Sequence, residues 1–276
     1  DWPVLAPDHR SVLLDLLRPP PEFSLDVAVA TTFTLDLEAA LVAPLAFASF
    51  DTDGPGDPIA TLEAVRSASG RFTVFCQAGQ VSVPQAASDL FAFAEPVVHE
   101  VDRPRAGHLF HSKMWLLRYR GPDDATSIRL LVPTRNLTND VSWDAVLRLD
   151  GTPVGGRDAA NRPLADLIRW CCSNTPRGVS PDRLEEIESL IESVRRTEWE
   201  FPDGVNEIIF HALGIRGSQR PDFTGSRHLV ISPFVNADGR VIVAPSGDPV
   251  VISRPEQLEL LPADALAGLD CRWFAT

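Results

Sequence analysis

Lysine is almost absent from this chain: of its 25 basic residues, 24 are arginine and one is Lys113. Methionine and tyrosine also occur once each, as Met114 and Tyr119, and both lie beside that lysine in the segment HLFHSKMWLLRY. A chain that uses arginine everywhere else has kept a lysine here. The four cysteines (Cys76, Cys171, Cys172 and Cys271) are too few and too scattered for a disulfide scaffold. None forms a C-x-x-C pair, which removes sequence support for a structural zinc site. The adjacent Cys171 and Cys172, in the apolar stretch LIRWCC, read as small buried thiols in a reducing compartment. No run approaches the roughly 20 apolar residues of a membrane helix. The opening DWPVLAPDHR has neither a basic n-region nor an apolar h-region, so the expected location is cytoplasmic, with no membrane partner. The chain also opens without methionine, and residue 1 is expected not to be the natural start.

What is present is acid. The formal charge is −13 over 276 residues, enough chain for a sizeable core in one or two domains. That balance excludes a protein whose whole surface binds nucleic acid, while permitting a local basic cleft.

Strand-like and helix-like segments alternate along the first half. Asp8 to Arg18 has helical periodicity and stops at Pro19–Pro20–Pro21. LDVAVATTF (25–33) reads as a buried strand, 35–47 as a helix interrupted at Pro44, and 59–68 as a helix ending at Gly70. Residues 71–77 and 95–101 read as strands, with a short helix over 84–93. The runs 108–120 and 128–134 flank a Gly/Pro/Asp turn and predict a hairpin, followed by a strand over 142–151. Ser180 and Pro181 open an acidic helix carrying Glu185, Glu186, Glu188 and Glu192, most simply a solvated face. Alternation of this kind indicates an α/β fold, a mixed sheet sandwiched by helices. The expected organisation is a first lobe over 1–155, a helical insertion over 156–225, and the start of a second lobe over 226–276. The last division rests on a faint repeat: LDVAVATTF matches HLVISPFV, RFTVFCQAG matches PVVISRPEQ, and EPVVHEVDR matches LDCRWFAT.

The chemistry concentrates in the hairpin. On a strand, alternate residues share a face, so His111 and Lys113 project together while Ser112 and Met114 point away. Asn136, just past the partner run in PTRNLT, is placed to meet them at one edge of the sheet. A histidine, a lysine and an amide converging on one point suit phosphoryl chemistry. Imidazole attacks phosphorus, while ammonium and amide stabilise the charged oxygens of the transition state. That scheme calls for no metal and no cofactor. Between 101 and 148, eight basic residues (Arg103, Arg105, Lys113, Arg118, Arg120, Arg129, Arg135 and Arg148) face five acids, which fits a phosphodiester track or a solvated basic face. Trp115 and Trp143 read as core, with base stacking the sharper alternative.

These residues resemble the phospholipase D superfamily, whose signature is H-x-K followed by a small hydroxyl residue and asparagine. The closest style is that of the tyrosyl-DNA phosphodiesterases, matched here by HSKMWLLRY and TRNL. The superfamily aspartate five residues after the lysine is Arg118 here, a departure shared with that style, and the glycine before the hydroxyl residue is Pro133. The resemblance implies a phospholipase D-like fold and metal-independent phosphodiester cleavage through a phosphohistidine. It assigns His111 as nucleophile or its acid/base counterpart, Lys113 as phosphate clamp, Asn136 as oxygen or orientation ligand, and Thr134 as a weaker helper. Arg118, Arg135 and Trp143 are its candidate substrate-binding residues.

Two H-x-K motifs make one site in that family, and the other histidines here (His9, His99, His108, His211 and His228) lack a lysine two residues on. The repeat places the missing motif shortly after Thr276, so the chain is expected to be a fragment, inactive alone unless a second H-x-K comes in trans through homodimerisation. Nucleic acid is the expected substrate. The alternatives are a non-catalytic nucleic-acid-binding module within a larger bacterial DNA-processing or defence assembly, and a phospholipid phosphodiesterase, for which no lipid anchor is visible.

Overall fold

A computed structural model describes residues 13–50, 58–84, 89–140, 144–219, 221–223, 225–235, 250–266 and 270–273. The chain divides into two compact units, Asp1–Gln219 and Arg220–Thr276.

The larger unit begins with α1 (Leu13–Leu17), β1 (Ser24–Thr32), β2 (Leu35–Asp36), α2 (Leu37–Phe50), α3 (Pro58–Gly70), β3 (Phe72–Gln77) and β4 (Val81–Ser82). It continues with β5 (Val98–Val101), β6 (Met114–Arg120), β7 (Thr126–Pro133), β8 (Val146–Pro153), α4 (Arg162–Ser173), α5 (Pro181–Arg195) and β9 (Thr197–Trp199). A seven-stranded mixed sheet runs in the order β5-β3-β1-β6-β7-β8-β9. β1, β3 and β5 are mutually parallel, while β6 to β9 join as an antiparallel series.

β1 is buried along nearly its whole length because helices cover both sides of the sheet, the usual condition of a parallel strand. Ala28 and Ala30 face a core with Ala40, Phe47, Phe72, Trp115, Leu117 and Tyr119. Val27 and Val29 face the opposite core with Leu116, Leu130 and Ile168. The helices present matching stripes: Leu164, Ala165, Ile168 and Cys171 on α4, and Ile187, Leu190, Ile191 and Val194 on α5. The mixed sheet between helices is therefore the α/β architecture expected from the sequence.

Several boundaries differ from expectation. The helix around Pro44 is not interrupted; α2 passes through it, with Pro44 buried in its apolar side. Tertiary burial of this face offsets the lost backbone hydrogen bond. Residues 156–199 do not stand apart as an insertion, because α4 and α5 form the second helical layer and β9 extends the sheet beside β8. Ser180 occupies the cap position of α5, yet its side chain makes no cap hydrogen bond. The start of the expected first helix and part of the 84–93 helix lie outside the described residues. Of the latter, a 3-10 turn over Asp89–Phe93 is seen.

The smaller unit contains β10 (Leu229–Ile231), β11 (Val250–Ser253) and β12 (Asp270–Trp273), three parallel strands in that order. β1, β3 and β5 are likewise parallel neighbours in the larger sheet.

Candidate active site

The carboxyl ends of β1, β3 and β5 lie at the same margin of the sheet as the start of β6 and the end of β7. In open α/β sheets this margin is where ligands bind. Two segments meet β1 there. On one side, Thr31 is the last β1 residue paired with β6, opposite Met114. Its Oγ1 accepts a hydrogen bond from Met114 N at 3.1 Å and shares another with Ser112 Oγ at 2.9 Å. On the other side, Asn136 Oδ1 accepts from Phe33 N at 3.2 Å and from Thr32 Oγ1 at 3.4 Å, while Leu137 N donates to Thr32 Oγ1 at 2.9 Å. Asn136 therefore has its carbonyl oxygen committed to the scaffold, while its amide nitrogen has no hydrogen-bond partner among the described residues.

His111 and Lys113 lie just before β6 rather than on it, since the strand starts at Met114. They still converge. Lys113 Nζ is 3.1 Å from His111 Nε2 and 3.2 Å from Nδ1, and it reaches His111 O at 3.4 Å. The His111 ring also packs on Phe33, with centroids 5.1 Å apart. Phe33 thus touches His111 with its ring and Asn136 with its amide, which brings the two motif segments to one place.

Burial decides the protonation of the pair. Loss of water lowers the Lys113 pKa to about 8. His111 is lowered first by desolvation and then by the neighbouring ammonium. At neutral pH this combination is a neutral imidazole beside a charged ammonium, the state in which the ring can attack and the lysine can hold an anion. Lys113 has no acidic partner among the described residues.

The remaining candidates are placed differently. Thr134 Oγ1 donates to Asp144 Oδ1 at 2.7 Å and accepts from Ala145 N at 3.1 Å, so its hydroxyl is committed to the loop. Arg118 is not a substrate ligand: it is 5% exposed and tied to Asp26 at 2.5 Å and to Ser189 and Ser193 at 3.0 Å each. It locks α5 against the sheet. Arg135 binds Asp140 Oδ1 at 3.0 Å and closes its own turn. Trp143 lies outside the described residues. Trp115 is core, stacked on Phe72 with centroids 5.2 Å apart.

Five arginines of the expected basic track, Arg118, Arg120, Arg129, Arg135 and Arg148, are paired with carboxylates, although only three aspartates serve them. Asp26 takes Arg118 and Arg120, Asp150 takes Arg129 and Arg148 at 2.6 Å each, and Asp140 takes Arg135. The acidic face of α5 is paired in the same way, Glu186 with Arg183, Glu188 with Arg169, and Glu192 with Arg157 and Arg196.

Thr31, Phe33 and Asp144 were not singled out from sequence. Polar residues ending the buried run of β1 were the available signal for the threonines. Asp144, which accepts from Thr134 N and Arg135 N at 2.8 and 3.1 Å, had none.

No protein-family model and no curated protein matches this chain. Among solved structures, two mutant forms of yeast tyrosyl-DNA phosphodiesterase are similar to it in part. Their TM-scores are 0.37 and 0.36, at 12% and 13% identity over 67% and 63% of this chain. The chain spans 36% of the length of each. Among the described residues no helix is long and apolar enough to cross a membrane, and no three His, Cys, Asp or Glu side chains cluster as metal ligands.

Proposed function

We propose that this chain carries half of a phospholipase D-like active site that cleaves phosphodiesters, with nucleic acid as substrate and no metal required. The observation that supports it most is the approach of Lys113 Nζ to within 3.1 Å of the His111 ring, at a sheet margin where Asn136 is held by its carbonyl oxygen. A neutral ring nitrogen of His111 attacks phosphorus. A P–N bond forms as the P–O bond to the leaving group breaks, and Lys113 and the Asn136 amide stabilise the equatorial oxygens. Water then cleaves the P–N bond. The leaving alkoxide needs a proton from a second histidine, and none of the other five histidines is followed by lysine at the motif spacing. That acid belongs to a second motif in a partner copy or elsewhere in a longer chain.

The missing acid suggests a direct test. A p-nitrophenyl ester of a nucleotide departs as nitrophenolate and needs no proton. Mixed with this chain in excess EDTA, it is expected to give a burst of nitrophenolate of at most one equivalent, with nucleotidyl-histidine at His111 by mass spectrometry. His111→Ala is expected to abolish both. A burst that disappears with EDTA, or survives in His111→Ala, refutes the reading.

A further inference from the structure

The pairing of the hairpin arginines leaves open which cations hold the rest of a long substrate. Just upstream of His111 the chain makes an arm, Arg103–Leu109, in which every residue is exposed. Its two ends are fixed. Asp102 N donates to Asn174 O at 2.9 Å, and Phe110 N donates to the buried Gln77 Oε1 at 2.9 Å while its ring stacks on Trp170 at 5.7 Å. Within the arm, His108 N donates to Arg105 O at 3.1 Å, Gly107 takes φ +76°, and Arg105 Nε donates to the His108 ring at 3.0 Å. The left-handed conformation at Gly107 lets the chain turn back towards the site without Cβ strain.

Arg103 and Arg105 differ from the hairpin arginines in one physical respect: neither has a carboxylate partner among the described residues. A guanidinium already paired with aspartate releases little counterion when a phosphate arrives; an unpaired one releases its full share. The two arginines of the arm thus lie on an exposed stretch that leads, past the buried Phe110, to His111 and Lys113.

We propose that this arm, through Arg103 and Arg105, holds the phosphodiester backbone of a single nucleic-acid strand and leads it to His111. This rests on the phosphodiesterase reading of His111 and Lys113 for its direction, though not for the contact itself. The preorganised ends of the arm limit the ordering entropy lost on binding. The contacts are to backbone, so they confer affinity and register without sequence preference.

The test uses the 276-residue chain and a fluorescein-labelled single-stranded oligonucleotide, with anisotropy titrations across a salt series. Removing two phosphate contacts in the double variant Arg103→Ala/Arg105→Ala is expected to make the slope of log K against log salt shallower by about 1.4, roughly 0.7 per contact. The double variant Arg120→Ala/Arg148→Ala removes two partly exposed but paired arginines, and its slope is expected to match the wild type. Thermal melting checks that both pairs remain folded. An unchanged slope in the arm variant, an equal change in the hairpin variant, or no oligonucleotide binding by the wild type overturns the proposal. A nitrophenolate burst that fails while arm-dependent binding persists refutes the site reading alone. The reverse result refutes the arm alone.

Discussion

Replacing Thr31 by valine tests whether the end of β1 is what positions the reacting pair. The substitution keeps the shape of the side chain and removes its hydroxyl, at a position only 3% exposed. Met114 N–H, itself buried, then loses its acceptor, which costs about 1–3 kcal/mol. Ser112 loses a partner in a half-buried position where water can substitute, adding about 0.5–1 kcal/mol. The net loss is about 1.5–4 kcal/mol, which for a unit of 219 residues lowers its melting temperature by roughly 3–16 °C. Thr31→Ser retains the hydroxyl and gives up a methyl group, about 1 kcal/mol. The functional readout is separate from the thermal one: with the start of β6 unlatched, nitrophenolate bursts below the melting temperature are expected to slow about tenfold or more in Thr31→Val and to remain near wild type in Thr31→Ser. Calorimetric melts and burst kinetics of the three proteins decide it. If Thr31→Val melts and reacts as the wild type does, or Thr31→Ser falls as far, the hydroxyl does not hold the site.

Further outcomes follow from the same geometry. The burst rate is expected to rise with pH as His111 deprotonates, at a pH below its usual 6.5, and to fall as Lys113 loses its proton near pH 8; a rate still climbing at pH 9 contradicts the assigned roles. Arg118→Ala removes the buried partner of Asp26, leaving it only Arg120, and the donor to two serine hydroxyls, and is expected to cost about 2–4 kcal/mol in chemical denaturation, against about 0–1 kcal/mol for the exposed Arg120→Ala. Asp144→Ala removes the acceptor of two backbone amides and the Thr134 hydroxyl, and it is expected to reduce the burst rate about tenfold by misaiming Asn136. Unaltered burst kinetics in a folded Asp144→Ala protein would show that the 134–136 loop is positioned by other contacts.

Local pattern in the sequence was enough for the α/β class, most strand positions and the hairpin. These are set by short-range hydrophobic periodicity and turn residues, which a linear chain displays. The lone lysine in a chain of arginines was equally legible. Its compact ammonium stands without a carboxylate among the described residues, whereas the arginine forks around it mostly hold aspartates and glutamates. The fate of the basic residues was not legible, because charge neutralisation depends on distance in space. Asp26 lies some ninety residues from Arg118 and Arg120, and it reaches them only because β1 pairs with β6. The same pairing sets Thr31 opposite Met114, and with it the place where the ladder ends and His111 and Lys113 leave the sheet. Sequence named the residues for which phosphoryl chemistry is proposed. The order of strands decided which of them stand free to do it, because a side chain's charge is usable only where the fold has not already paired it.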